Sequence, residues 1–133
     1  MKLNLRRLEK EDLQIINTWW DAWPEWERPP ENFLPETALV VESENQMITA
    51  AFIYLTNSKV ALLEWFISDP NYRESNRQFA IELLITGAEE MLKNMDYKYL
   101  FSITSHEKLI KTQQNLGWSK DEKPSHELVK IIN

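Results

Sequence analysis

Apolar positions along the chain change their spacing several times, and each change marks an element. From Lys2 to Leu8, KLNLRRL, Leu3 and Leu5 alternate with polar neighbours and Leu8 closes the run, as in a strand. Over residues 9–23 the spacing lengthens to that of a helix. Leu13, Ile16, Trp20 and Trp23 share a stripe, with Ile15 and Trp19 beside it. Pro24 ends that helix. PEWERPPENFLP then predicts a loop or short helix, punctuated by Pro29, Pro30 and Pro35. Thr37–Glu42 and Met47–Leu55 are β-rich runs joined by a turn at Glu44-Asn45-Gln46, which predicts a hairpin. Lys59–Ile67 follows a second turn at Asn57-Ser58 and extends the hairpin to an antiparallel meander.

A long helix follows the turn after Asp69-Pro70. Ala80, Leu83, Leu84, Gly87 and Met91 share its apolar face, and Glu82, Thr86, Glu89 and Lys93 fall opposite. Tyr97–Thr104 alternates like a strand. His106–Leu116 predicts a shorter helix ended by Gly117, a residue suited to the position after a helix. HELVKII, His126–Ile132, predicts a last strand. A strand, a long helix and a further strand make a crossover, so that pair should be parallel. The expected fold is α/β, a single domain over residues 1–133. Its sheet is mixed and mostly antiparallel, with helices on both faces.

Composition narrows the chemistry. The chain is 43% hydrophobic, enough for a core, and holds no cysteine, which excludes disulfides, thiolate catalysis and sulfur-ligated zinc. Its two histidines, His106 and His126, have no spacing that suggests a metal site, so no metal is expected. A net charge of −6 disfavours nucleic acid as a partner. The charged N-terminus does not resemble a secretory signal, and no apolar run reaches membrane-spanning length. A cytoplasmic protein without a membrane partner is the expectation.

The stretch DPNYRESNRQFAIELL, Asp69–Leu84, carries the sharpest question. A strand running through a turn into a helix start is a common place to hold a phosphate, since the free N–H groups there favour an anion. Phosphate turns usually contain glycine, and this one has none. Its Arg73, Ser75, Asn76, Arg77 and Gln78 either hold an anion or start a solvated helix whose arginines pair with Glu74 or Asp69.

Together with the element order, LLEWFISDPNYR and HEKLIKTQQNLGW resemble the GCN5-related N-acetyltransferases (GNAT superfamily). The first looks like that family's fourth strand entering a Pro-Tyr-Arg turn. In the second, Leu109 and Ile110 match the apolar pair of the late helix, and Leu116, Gly117 and Trp118 match its L-G-F end. The resemblance covers nearly the whole chain and is most specific from Leu62 to Trp118. FLPETALVVE and EWFISDP also resemble small acetyltransferase-like proteins of phage genomes.

The resemblance implies acetyl-CoA as cosubstrate, with its pantetheine arm between splayed fourth and fifth strands. It implies main-chain contacts from Phe66, Ile67 and Ser68, and a pyrophosphate on the turn at residues 73–78, where the family carries R/Q-x-x-G-x-G/A. Asn76 and Gln78 fall on the two small positions. Asn76 tolerates a left-handed backbone better than most residues, while Gln78 is bulky. The family's late-helix Asn falls on His106, a cofactor-side candidate, and its general-acid Tyr falls on Gln113, which does not titrate. Glu64 lies in an apolar strand between Leu63 and Trp65, where a raised pKa would suit a base for an attacking amine; the alternative is an outward-facing strand residue paired with a lysine. Trp23 and Trp26 either line an acceptor slot or, for Trp23 with Trp20, belong to the core.

Two functions follow. One is acetyl transfer from acetyl-CoA to a primary amine, on a small molecule or a peptide, by direct attack in a ternary complex. The other is a catalytically inactive GNAT-like fold that serves as a protein-binding module. A homodimer is admissible under either, with Trp26 and the C-terminal strand as candidate contacts.

Overall fold

The computed structural model describes residues 2–132. Five strands form one sheet in the order β1-β2-β3-β4-β5. They are β1 (Leu3–Arg7), β2 (Ala38–Ser43), β3 (Gln46–Leu55), β4 (Val60–Ser68) and β5 (Tyr99–Phe101). Every neighbouring pair is antiparallel except β4 and β5, which are parallel across the crossover helix. Three helices accompany them: α1 (Asp12–Ala22), α2 (Arg77–Asn94) and α3 (Glu107–Asn115). A single 3-10 turn, Glu31–Phe33, interrupts the proline-rich segment.

The predicted alternation in the strands separates two apolar layers. Leu39, Val41, Ala51 and Ile53 face α2, while Ala38, Val40, Ala50 and Phe52 face α1. The α1 layer is closed by Ile16, Trp19 and Trp20, with Trp20 stacked 6.1 Å from Phe52. On the opposite face Ala80, Leu84, Ile85, Ala88 and Leu92 of α2 are fully buried, and Leu109, Leu116 and Trp118 pack beside them. Helices therefore cover both faces, as the sequence predicts. Gly87 allows α2 to lie close on β1: a Cβ there would come within 2.2 Å of Leu5 Cδ2. The Arg6 guanidinium fixes the entry to α1, donating to Asp12 and to Glu42 of β2, and it holds the Asp12 carboxyl below its ordinary range.

Two expectations need correction. The strand predicted over Tyr97–Thr104 is reduced to Tyr99–Phe101, because β5 follows β4 only from Val60 to Leu62 and then diverges. His126–Ile132 has no regular secondary structure, and no strand forms there. A strand needs a hydrogen-bonded neighbour, and the chain beyond α3 meets none among the described residues.

Candidate functional site

The divergence of β4 from β5 opens a cavity of about 470 Å³. The local cause is an irregularity within β4. Phe52 pairs with Glu64 and Ala50 with Ile67, so two residues, Trp65 and Phe66, oppose the single Ala51. Trp65 sits at φ 54°, a left-handed conformation unusual for an aromatic side chain. This bulge switches the phase of the strand. Leu63 lies in the α2 layer, whereas Trp65 and Ile67 lie in the α1 layer.

The bulge also sets which main-chain groups face the opening. The Asp69 N–H donates to Ile48 O on β3, so the groups of Ser68, one residue earlier, point the other way. The same alternation turns Phe66 into the gap and Ile67 back toward β3. Ile67 O accepts from Thr49 Oγ1 at 3.1 Å. Ile67 therefore offers the cavity its side chain rather than its amide. The Ser68 carbonyl is also engaged, by Trp23 Nε1 at 2.9 Å.

Glu64 bridges the separated strands. Its two carboxylate oxygens accept from the Ile103 N–H at 3.2 and 3.0 Å, which takes over the hydrogen bond that a continuing β5 would have made. Burial pushes the carboxyl up to about 7, against the Ile103 N–H, and Glu127 adds to the rise. The carboxyl thus titrates near neutrality and faces a cavity that also exposes main-chain donors.

The start of α2 forms the opposite wall. Arg77 and Gln78 reach the cavity. The N-cap Asn76 gives no side-chain cap, because its Oδ1 accepts from the Tyr72 hydroxyl. Among the described residues, the N–H groups of Gln78 and Phe79 have no protein acceptor outside the helix. Arg77 Nε is buried with no partner, and burial, followed by the nearby Arg73, lowers its pKa. Neither Arg73 nor Arg77 forms an ion pair among the described residues, so pairing with Glu74 or Asp69 does not account for them. The bulk of Gln78 is drawn aside, since its Nε2 donates to Glu82 and to Thr112 of α3. Free amides and an orphaned guanidinium suit an anionic group such as a pyrophosphate.

Glu64, Phe66, Ile67, Ser68, Arg77, Gln78, His106, Trp23 and Trp26 all line the one cavity. Arg73, Ser75 and Asn76 do not. Arg73 lies outside, with its guanidinium carbon 6.0 Å from the Trp23 ring centre, and Ser75 is exposed. Asn76 adopts φ −88°, so it does not supply the left-handed backbone expected of it. Trp20 is a core residue, whereas Trp23 is half-buried and faces the cavity. Trp26 meets the His106 ring edge-on at 5.8 Å, so the loop after α1 reaches α3. His106 caps α3, its Nδ1 accepting from the Leu109 N–H, which leaves the proton on Nε2. Gln113 is buried and carries no acid.

The sequence reasoning missed Glu25, Glu27 and Lys108, which also line the cavity. They are exposed polar residues whose place depends on tertiary structure. The left-handed Trp65 was equally hidden, because tryptophan carries no signal for that backbone. No group of three or more metal-ligating side chains occurs among the described residues, and no helix there is long and apolar enough to cross a membrane.

No protein-family model matches the sequence. No curated protein matches it either. Solved structures do match in fold. The ribosomal-protein-S18-alanine N-acetyltransferase from Escherichia coli has a TM-score of 0.72 at 16% identity, covering 87% of this chain and 77% of that one. An aminoglycoside acetyltransferase from an uncultured soil metagenomic sample has a TM-score of 0.70 at 14% identity, covering 98% and 97%. AAC(6')-Iy, in complex with the bisubstrate analog CoA-S-monomethyl-acetylneamine, has a TM-score of 0.69 at 18% identity, covering 98% and 100%. These neighbours are GNAT acetyltransferases, and the chain has their fold, that of the acyl-CoA N-acyltransferases.

Proposed function

We propose that this chain transfers an acetyl group from acetyl-CoA to a primary amine by direct attack in a ternary complex. The observation that carries this reading is the cavity between β4 and β5, where a carboxyl titrating near 7 shares one space with free amides and an orphaned arginine. Arg77 and the Gln78 and Phe79 amides hold the pyrophosphate, with Arg73 adding charge from outside. The Phe66 main chain orients the thioester arm. Glu64 takes the proton that the attacking amine loses, directly or through water. Gln113 cannot protonate the departing thiolate, so water does so. A thiolate is a good leaving group and needs little help.

The buried Gln113 and the Glu64–Ile103 bridge favour the second reading, an inactive fold used for binding, since one removes an acid and the other engages the base. Calorimetric titration with acetyl-CoA separates the two. Micromolar binding that Arg73→Ala with Arg77→Ala weakens at least about tenfold, the loss of charge-assisted contacts to phosphate, supports the enzyme. No heat at millimolar acetyl-CoA leaves the inactive fold.

A further inference from the structure

We propose that Tyr54 is a positioning residue for the acyl transfer: its hydroxyl locks the left-handed Trp65 and so holds the bulge that turns the Phe66 main chain into the cavity beside Glu64. This role rests on the reading of that cavity as an acetyl-CoA site. Trp65 sits at φ 54°. Glycine takes such a backbone freely, whereas a tryptophan there has to be held by its surroundings. The Trp65 Nε1–H donates to the Tyr54 hydroxyl at 2.7 Å, and that hydroxyl donates to the Phe33 carbonyl. Chemistry fixes the direction. An indole nitrogen only donates and a carbonyl only accepts, so the single hydroxyl proton can go only one way. The Phe33 ring then meets the Trp65 ring edge-on at 6.2 Å.

The lock bears on the phase of β4. Phe52 pairs with Glu64, so Glu64 lies on the α1 face with Phe52. In a regular strand Trp65 would follow on the α2 face and Phe66 on the α1 face. The observed order is the reverse: Trp65 packs in the α1 layer and Phe66 against the α2 layer. Two consecutive side chains, Glu64 and Trp65, thus share a face, as a bulge requires. Beyond the bulge the strand is tied independently. Thr49 Oγ1 donates to Ile67 O, Ser68 Oγ donates to Thr49 Oγ1 at 2.8 Å, and Trp23 Nε1 donates to Ser68 O. Among the described residues, the bond to Tyr54 is the one side-chain hydrogen bond that Trp65 makes. Neither Tyr54 nor Phe33 lines the cavity. The lock therefore works from outside it, fastening the bulge to the 3-10 turn of the proline-rich segment.

Two ligands and no acceptor suffice as a test. Acetyl-CoA carries the thioester that Phe66 would orient, while CoA keeps the pyrophosphate and lacks the acyl group. In calorimetric titrations Tyr54→Phe should weaken acetyl-CoA about fivefold, the worth of one neutral hydrogen bond, and leave CoA unchanged. A merely structural role would move both affinities or neither. The variant keeps the ring, so its melting transition should persist. In Trp65→Gly the left-handed backbone needs no holding, so adding Tyr54→Phe to that variant should change neither affinity. Solvent exchange of the Trp65 indole proton, followed by NMR, should speed up at least about fivefold in Tyr54→Phe as its acceptor is lost. An unchanged ratio of the two affinities in Tyr54→Phe, an unchanged indole exchange, or a further loss on adding Tyr54→Phe to Trp65→Gly would each overturn the role of Tyr54 and leave the acetyl-CoA reading standing. A wild type that binds neither ligand would overturn both.

Discussion

Glu64 and Arg77 are each held in a state that costs the folded chain something. The Glu64 carboxyl is pushed from 4.5 to about 7 by burial. Between those values the folded chain keeps a proton that the unfolded chain releases, so stability falls as pH rises from about 4.5 to about 7 and levels off above. Glu64→Gln lacks this titration. The melting temperature of the wild type should therefore drop relative to the variant between pH 5 and pH 8, as differential scanning fluorimetry will read. If Glu64 is the base, the rate of thiol release from acetyl-CoA with an amine should rise with pH through about 7, and Glu64→Gln should lower it by about 10²–10⁴-fold. Arg77 has the matching signature. Its buried Nε has no partner, so Arg77→Met should leave the melting temperature unchanged or raised. The same variant should weaken acetyl-CoA binding. A variant that melts lower and binds normally would make Arg77 structural. Both residues could be singled out from the sequence, because a carboxylate in an apolar strand and an arginine in a helix-starting turn are local facts. The Glu64 partner could not, since Ile103 comes from a distant segment, nor could the contact that draws Gln78 aside, since Thr112 lies on α3.

At the scale of elements, periodicity located β1 to β4 and all three helices, where one face of each run is steadily apolar. It failed where pairing decides. Tyr97–Thr104 alternates well, yet only three residues pair, because the bulge at Trp65 and Phe66 turns β4 away. That divergence creates the cavity, so the local rule breaks at the site. HELVKII has strand chemistry without a strand beside it. Capping was more legible: Gly117 sits at φ 98°, and the Trp118 and Gly117 N–H groups close back on the Gln113 and Gln114 carbonyls. Open space surrounds the Gly117 Cβ position, so only backbone strain opposes a side chain. Gly117→Ala should cost about 1 kcal/mol, read as a lower urea midpoint with an unchanged slope. The same variant should leave acetyl-CoA affinity unchanged, because the cap lies at the far end of α3 from His106.

At the scale of the whole molecule, charge would separate the two substrates of the proposed reaction. The chain carries −6, which repels acetyl-CoA from a distance and attracts a cationic amine. Around the cavity the signs are sorted by element. Glu25 and Glu27 come from the loop after α1, beside Trp26, while Arg77 and Lys108 come from the starts of α2 and α3. Under the proposed function the anion would be received by a local basic rim against an unfavourable overall field. A cationic amine would meet a field that is favourable at both ranges, and aromatic faces at the end of its path. Raising the salt from about 10 mM to 150 mM shortens the screening length from about 30 Å to about 8 Å. Over that range kcat/KM for a polycationic amine should fall several-fold, while that for acetyl-CoA should stay level or rise. Glu25→Gln with Glu27→Gln should flatten the salt dependence for the amine and leave that for acetyl-CoA in place. Equal slopes for the two substrates, or a pair of glutamines without effect on the amine, would show that the acceptor does not enter past the loop after α1.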